Sequence, residues 1–213
     1  MTQSADPIHA VDEPWCRDTK GKNFHFDDFA SRAKAFHGYA APGLLLGGKM
    51  VALAYSRLPH DTLFDAISET SKCLPDAVQM LTPCTVGNGW LKIFPLGKFA
   101  LSLYDKKKGR GFRVCIDPSR LASWEEIDAW FFKKKKKTDQ DGDRLIDEIR
   151  RSGDALYRVE KIRVRPDLLV KNSIGDRRNC PECGESYPAA HGFVCRSCSG
   201  GSPYRPSGDS ASK

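Results

Sequence analysis

Two cysteine pairs near the C-terminus, Cys180-Pro-Glu-Cys183 and Cys195-Arg-Ser-Cys198, constrain this chain more than any other feature. A CxxC turn points two sulfurs at one ion, and two such turns close a tetrahedral site that keeps no open coordination position. The segment is too short and too poor in apolar residues to build a core of its own, so metal–sulfur bonds of ~2.3 Å replace one. Gly184, directly after the first pair, suits the tight backbone there. We read one structural zinc in a small four-cysteine zinc ribbon, with rubredoxin-like iron as the alternative for the same ligands. His191 lies inside the loop and is a surface residue by default, while Tyr187 and Phe193 are expected to pack over the site.

The other four cysteines, Cys16, Cys73, Cys84 and Cys115, are scattered. Disulfide scaffolds are usually shorter and denser in cysteine than a 213-residue chain with eight, so the pattern points to thiolate ligands in a reducing compartment. A cytoplasmic protein is expected, because the polar, acidic N-terminus lacks the basic start and apolar core of a secretory signal. A mean hydropathy of -0.48 and the absence of a sufficient apolar run argue against a membrane protein. The net charge of +7 allows an anionic partner without requiring one.

The length fits one substantial domain plus a small appendage. Residues 27–41 place Phe29, Ala33, Phe36 and Ala40 on one helical face, and Pro42 suits the first turn of a second helix over 43–58. In that second helix Gly43, Gly47, Gly48 and Ala52 would let another backbone approach closely. A short strand over 61–70, a helix over 75–81 and strands over 90–94, 99–104 and 111–116 follow, with antiparallel pairing by short turns as the economical arrangement. Helices over 121–132 and 143–151 and a last strand over 156–164 complete the series. The order gives an α+β fold, a mixed helix and antiparallel-sheet domain followed by the zinc ribbon, rather than a regular βαβ series. We place an N-terminal extension at 1–24, the α+β domain at 25–165, the linker and ribbon at 166–202 and a disordered tail at 203–213. The expected core comprises Phe36, Leu44, Leu45, Val51, Ile93, Leu101, Leu103, Val114 and Ile127.

Several blocks carry a family resemblance. Phe36-His37-Gly38-Tyr39-Ala40-Ala41-Pro42-Gly43-Leu44 is followed by Gly47, and Cys73 stands with Asp76-Ala77-Val78-Gln79. Thr82-Pro83-Cys84-Thr85-Val86-Gly87-Asn88-Gly89 comes next, then Gly97-Lys98 and residues 109–114. Over roughly residues 25–165 these blocks resemble the FmdE family of formylmethanofuran dehydrogenase, some members of which also carry a C-terminal zinc ribbon. The resemblance implies an α+β domain, commonly dimeric, with a cleft where the histidine motif meets the cysteine block. A metal in that cleft would take imidazole from His37 and thiolate from Cys84, with Tyr39, Cys73 and Asp76 as further cleft candidates. Tyr39 stands where the family often has histidine and Ala41 where it often has cysteine, which removes two potential ligands from a second metal site. The resemblance permits an accessory or regulatory role, as a homodimer, beside a molybdenum or tungsten oxidoreductase of the formylmethanofuran- or formate-dehydrogenase type. The chain lacks the cysteines for iron–sulfur clusters beyond the ribbon, so catalysis by this chain alone is not expected.

Two other readings compete. Residues 133–137 are five consecutive lysines after Trp130, Phe131 and Phe132, which together with the ribbon could contact nucleic-acid phosphates, although such a run more often forms a solvated helix end. An enzyme built on His37, Cys84 and perhaps Tyr39 and Cys73 needs those groups within hydrogen-bond reach. Asp139, Asp141 and Asp143 imitate part of a calcium loop, but the glycine is misplaced and the closing glutamate is missing.

Overall fold

The computed structural model describes residues 14–170 and 175–204. Most of the expected N-terminal extension, part of the linker and nearly all of the expected tail lie outside the described residues. The chain divides into two compact units, Met1–Leu169 and Val170–Lys213.

The first unit is built around α2 (Pro42–Ser56), which follows α1 (Phe26–His37) after a tight turn. Gly38, at φ 92°, ends α1 and donates its N–H to the Lys34 carbonyl, and Pro42 starts α2 where its missing N–H removes no helical bond. Apolar and small residues surround α2 on every side, so it cannot lie on a surface. Leu44, Leu45, Leu46, Met50, Val51 and Ala54 are fully buried.

Around α2 stand α3 (Leu74–Leu81), α4 (Glu125–Phe131), α5 (Gly142–Ser152) and one five-stranded sheet. Its strands are β3 (Phe64–Ser68), β4 (Leu91–Ile93), β5 (Ala100–Asp105), β6 (Arg110–Ile116) and β7 (Tyr157–Arg163), in the order β4-β3-β5-β6-β7. The α+β reading holds, and β3–β5, β5–β6 and β6–β7 pair antiparallel. Strand β4 instead runs parallel to β3, with Ala66 opposite Leu91, because α3 carries the chain over between them; a parallel neighbour needs such a crossover.

Asp141, one of the three aspartates that imitate a calcium loop, caps α5 by accepting the Arg144 N–H. The start of α4 is capped from another helix: the Glu148 carboxylate accepts the N–H groups of Glu126 and Ile127.

Two expectations about the core need correcting, and a third extends it. Phe36 is 56% exposed, since Phe29 and Ala33 on the same face are buried but the last turn of α1 runs past the core. Ile93 is half-buried, in the outermost strand of the sheet. Residues assigned to an N-terminal extension belong to the core: β1 (Cys16–Arg17) and β2 (Asn23–Phe24) form a hairpin that buries Trp15, Cys16 and Phe24. The Trp15 indole N–H donates to the Leu45 carbonyl, 3.3 Å away. Among the described residues no helix is long and apolar enough to cross a membrane.

A Cβ at Gly48 would lie 2.3 Å from the fully buried Phe29 ring. Gly48→Ala is therefore expected to destabilise the first unit by about 1–3 kcal/mol, the usual scale of overpacking, despite the higher helix propensity of alanine. Urea denaturation followed by tryptophan fluorescence measures this; unchanged or raised stability would show that Phe29 does not fix the α1–α2 spacing.

Candidate functional site

In the second unit β8 (Arg177–Asn179) and β9 (Ser186–Pro188) form a hairpin whose loop carries the first cysteine pair. Gly184, at φ 75°, adopts the left-handed conformation that brings its N–H to the Cys180 carbonyl, 2.9 Å away. The second pair lies on a short helical turn, where the Ser199 N–H meets the Cys195 carbonyl. The four sulfurs fall within 4.8 Å of one another, and Cys183 Sγ is 3.9 Å from Cys195 Sγ. A zinc tetrahedron with ~2.3 Å bonds has sulfur–sulfur edges of about 3.8 Å, so the donors fit that ion. All eight cysteines are free of disulfides.

The backbone N–H groups of Cys195 and Cys183 face Cys180 and lower its thiol pKa to about 6. Cys198 is driven the other way by its bonds to the Cys195 and Cys183 sulfurs. One ready thiolate and neighbours that give up protons only to a cation make a metal-dependent cluster. Tyr187 is buried against the cage, and its hydroxyl donates to the Gly192 and Phe193 carbonyls. Phe193 does not cover the site as expected: its backbone is held there, but its ring is 75% exposed. His191 is exposed, as expected of a non-ligand.

The cleft candidates of the first unit converge where helix ends meet. His37, the last residue of α1, bonds through Nδ1 to Asp76 Oδ2 in the first turn of α3 at 2.6 Å. Such a carboxylate fixes the ring and leaves Nε2 as the nitrogen free to act. Beyond the Gly38 turn, the Tyr39 ring stands 5.1 Å from that of His37. Cys73 precedes α3 at φ 55°, a conformation uncommon outside glycine, and a Cβ at Gly43 of α2 would sit 3.1 Å from its sulfur. Burial, and then the Asp76 charge, raise the Cys73 pKa, so it is a thiol at neutral pH.

Cys84 does not join this group. It follows the opposite end of α3, an eight-residue helix about 12 Å long. It is fully buried, its sulfur reaches the Phe64 carbonyl at 3.7 Å, and burial raises its pKa to about 11. The structure thus brings His37, Asp76, Tyr39 and Cys73 to one place and puts Cys84 in another. Among the described residues, the four zinc-finger cysteines are the one group of three or more metal-donor side chains that could hold an ion.

The lysine run is engaged rather than free. Lys134 pairs with Asp128, Lys135 with Glu126 and Glu125, and Lys133 lies over the Trp130 ring. Lys137 stands over Tyr39, 5.8 Å from the ring centre, which brings the run to the cleft. Phe99 also adjoins the Gly43 end of α2 and packs edge-on against Trp130 and Phe131. Sequence reasoning missed Phe99, Lys133 and Lys137 as cleft neighbours; the aromatic residues immediately before the lysines were the available signal.

Comparison with known proteins agrees with both units. The family described as "FmdE, Molybdenum formylmethanofuran dehydrogenase operon" matches residues 36–164, and the "FmdE treble clef zinc finger" matches residues 171–205. The appendage expected as a ribbon is thus a treble clef finger. An FmdE-like protein of tungsten formylmethanofuran dehydrogenase from Syntrophus aciditrophicus, of known crystal structure, is 46% identical, with a TM-score of 0.80 over 89% of this chain and 99% of that one. A curated relative from Archaeoglobus fulgidus, described as a probable S-adenosyl-L-methionine-binding protein, is 29% identical over 79% of this chain. The chain spans about half of that relative, 52% of its length.

Cage geometry and finger match agree on one structural zinc. Zinc supplies most of the folding free energy of so small a segment, on the order of 10 kcal/mol in isolated finger peptides. Strong chelation of the full chain should therefore release one zinc per chain and accelerate hydrogen exchange across residues 175–204, while the first unit keeps its protection. Loss of protection throughout both units would show instead that the first unit also depends on metal.

Proposed function

The chain belongs to the FmdE family, and from that premise we propose that it is an accessory or regulatory protein of a molybdenum or tungsten oxidoreductase of the formylmethanofuran- or formate-dehydrogenase type. The proposal assigns it no reaction of its own. The observation that carries this reading is the His37–Asp76 pair at the junction of α1, α2 and α3. It presents one oriented imidazole nitrogen with a protonated thiol and a phenol nearby, which is a set suited to gripping a ligand or partner group. A catalytic couple would need a nucleophile and base in contact, and Cys84 is bonded elsewhere.

The surface around the pair supports a partner. Phe36, Tyr39 and Phe132 are large apolar side chains left 56%, 54% and 47% exposed. Exposed aromatics are enriched in the central contacts of protein interfaces. On this reading the chain is a cytoplasmic homodimer. The nucleic-acid reading loses ground because Lys134 and Lys135 are already neutralised by carboxylates of α4.

Recovery of the tagged chain from its own cells, followed by metal analysis of the bound fraction, tests the proposal. Molybdenum or tungsten should co-purify together with dehydrogenase activity. His37→Ala with Asp76→Ala should lower both by about tenfold or more, the scale of a strong interface contact, with zinc unchanged. Neither metal above a tag-only control would refute the reading.

A further inference from the structure

Away from the His37 cleft, the sheet continues past the end of α2. Arg110 and Phe112 alternate with Gly111 along β6, and Lys161 and Arg163 of β7 stand opposite them, so all four side chains share one sheet face. That is the face whose Val114, farther along β6, is buried in the core against α2. Because α2 stops at Ser56, the overhang is covered by no helix, and a cavity of about 370 Å³ lies between it and residues 57–59. The size is within the range of small-molecule sites.

The lining pairs an apolar wall with charges of one sign. Leu58, Pro59 and Phe112 supply the wall, while Arg57, Lys108, Arg110 and Lys161 supply cations. Arg163 adds a fifth beside them: Arg110 and Arg163 are direct cross-strand partners, an arrangement that like charges destabilise. None of these five cations has a carboxylate ion-pair partner among the described residues, whereas elsewhere in this unit Arg113, Lys92, Lys135 and Arg144 all do. The single carboxylate present, Asp105, is spent on the turn: it accepts the N–H groups of Lys107 and Lys108. Those bonds, that to Lys108 foremost, hold its pKa below the usual value. A protein gathers uncompensated cations around an apolar wall at a cost that a bound anion offsets.

We infer that this cavity binds a small phosphorylated molecule with a flat or apolar body, nucleotide in class, its phosphates on Arg110, Lys161 and Lys108 and its body against Phe112, Leu58 and Pro59. A bare phosphate chain would use only the cations, and a neutral nucleoside only the wall. The inference is independent of the His37 cleft and of any oxidoreductase partner.

Calorimetry with ADP, pyrophosphate and adenosine as probes tests it at about 0.1 M salt, where exposed charges are partly screened. ADP should bind at one site per chain, more tightly than pyrophosphate or adenosine. Arg110→Gln with Lys161→Gln should weaken ADP at least about tenfold, a loss of about 1.4 kcal/mol. Lys107→Gln, in the same turn but outside the cavity, should leave it unchanged. Phe112→Leu should weaken ADP while sparing pyrophosphate. Absence of saturable ADP binding, equal weakening by Lys107→Gln, or pyrophosphate binding as tight as ADP would overturn the inference. So would a short oligonucleotide binding far more tightly than ADP, which would make the patch a nucleic-acid contact.

Discussion

Along one side of α2, glycines hold the place where side chains would otherwise stand, and α3 and α1 fill the gap. A Cβ at Gly47 would lie 2.8 Å from the Ala77 Cβ and 3.0 Å from Leu74 Cδ2, and one at Gly43 would press on Cys73. The helices therefore touch backbone to side chain, closer than two leucine-lined surfaces allow. Asp76 rides on the same turn of α3, between Leu74 and Ala77, so its distance from His37 is set by how deeply α3 seats on α2. The sheet depends on the same contact at one remove, because α3 is the crossover that delivers β4 parallel to β3. A packing constraint without polar character thus fixes the polar pair of the site.

The two units solve the problem of stability differently. The first has enough apolar side chains to surround a buried helix, and its four cysteines serve there as small hydrophobes: burial raises the thiol pKa values of Cys16 and Cys84 to about 12 and 11. The second has Tyr187 and little else to bury, so its four cysteines converge on an ion. The same residue type is inert in one unit and a ligand in the other, and spacing together with local backbone donors makes the difference.

Much of this was legible in the sequence, for reasons that can be stated locally. The zinc cage follows from spacing within two turns, α2 from the Pro42 start and an unbroken apolar run, and the strands from short apolar stretches between turn residues. What escaped depends on distant contacts. The β1–β2 hairpin has two-residue strands and no periodicity, and only the burial of Trp15 and Phe24 against α1 and α2 gives it meaning. Phe36 has the right spacing for the core, yet the helix outruns what it packs on. His37 and Asp76 were each visible as cleft candidates, but their contact, and the separation of Cys84 from it, depend on which end of α3 meets α2. The cationic overhang was invisible because its members come from α2's end, a hairpin turn and two strands.

The seating of α3 on α2 is best tested through the histidine it positions. In the folded protein at alkaline pH, the neutral His37 ring should carry its proton on Nδ1, held by Asp76, as read from long-range proton–nitrogen NMR correlations. Gly47→Ala should push α3 outward and shift His37 to the Nε2–H form that a free imidazole favours, matching the spectrum of Asp76→Asn, while the zinc finger remains intact. A folded Gly47→Ala protein whose His37 spectrum is the same as that of the parent would contradict the claim that this helix contact sets the site.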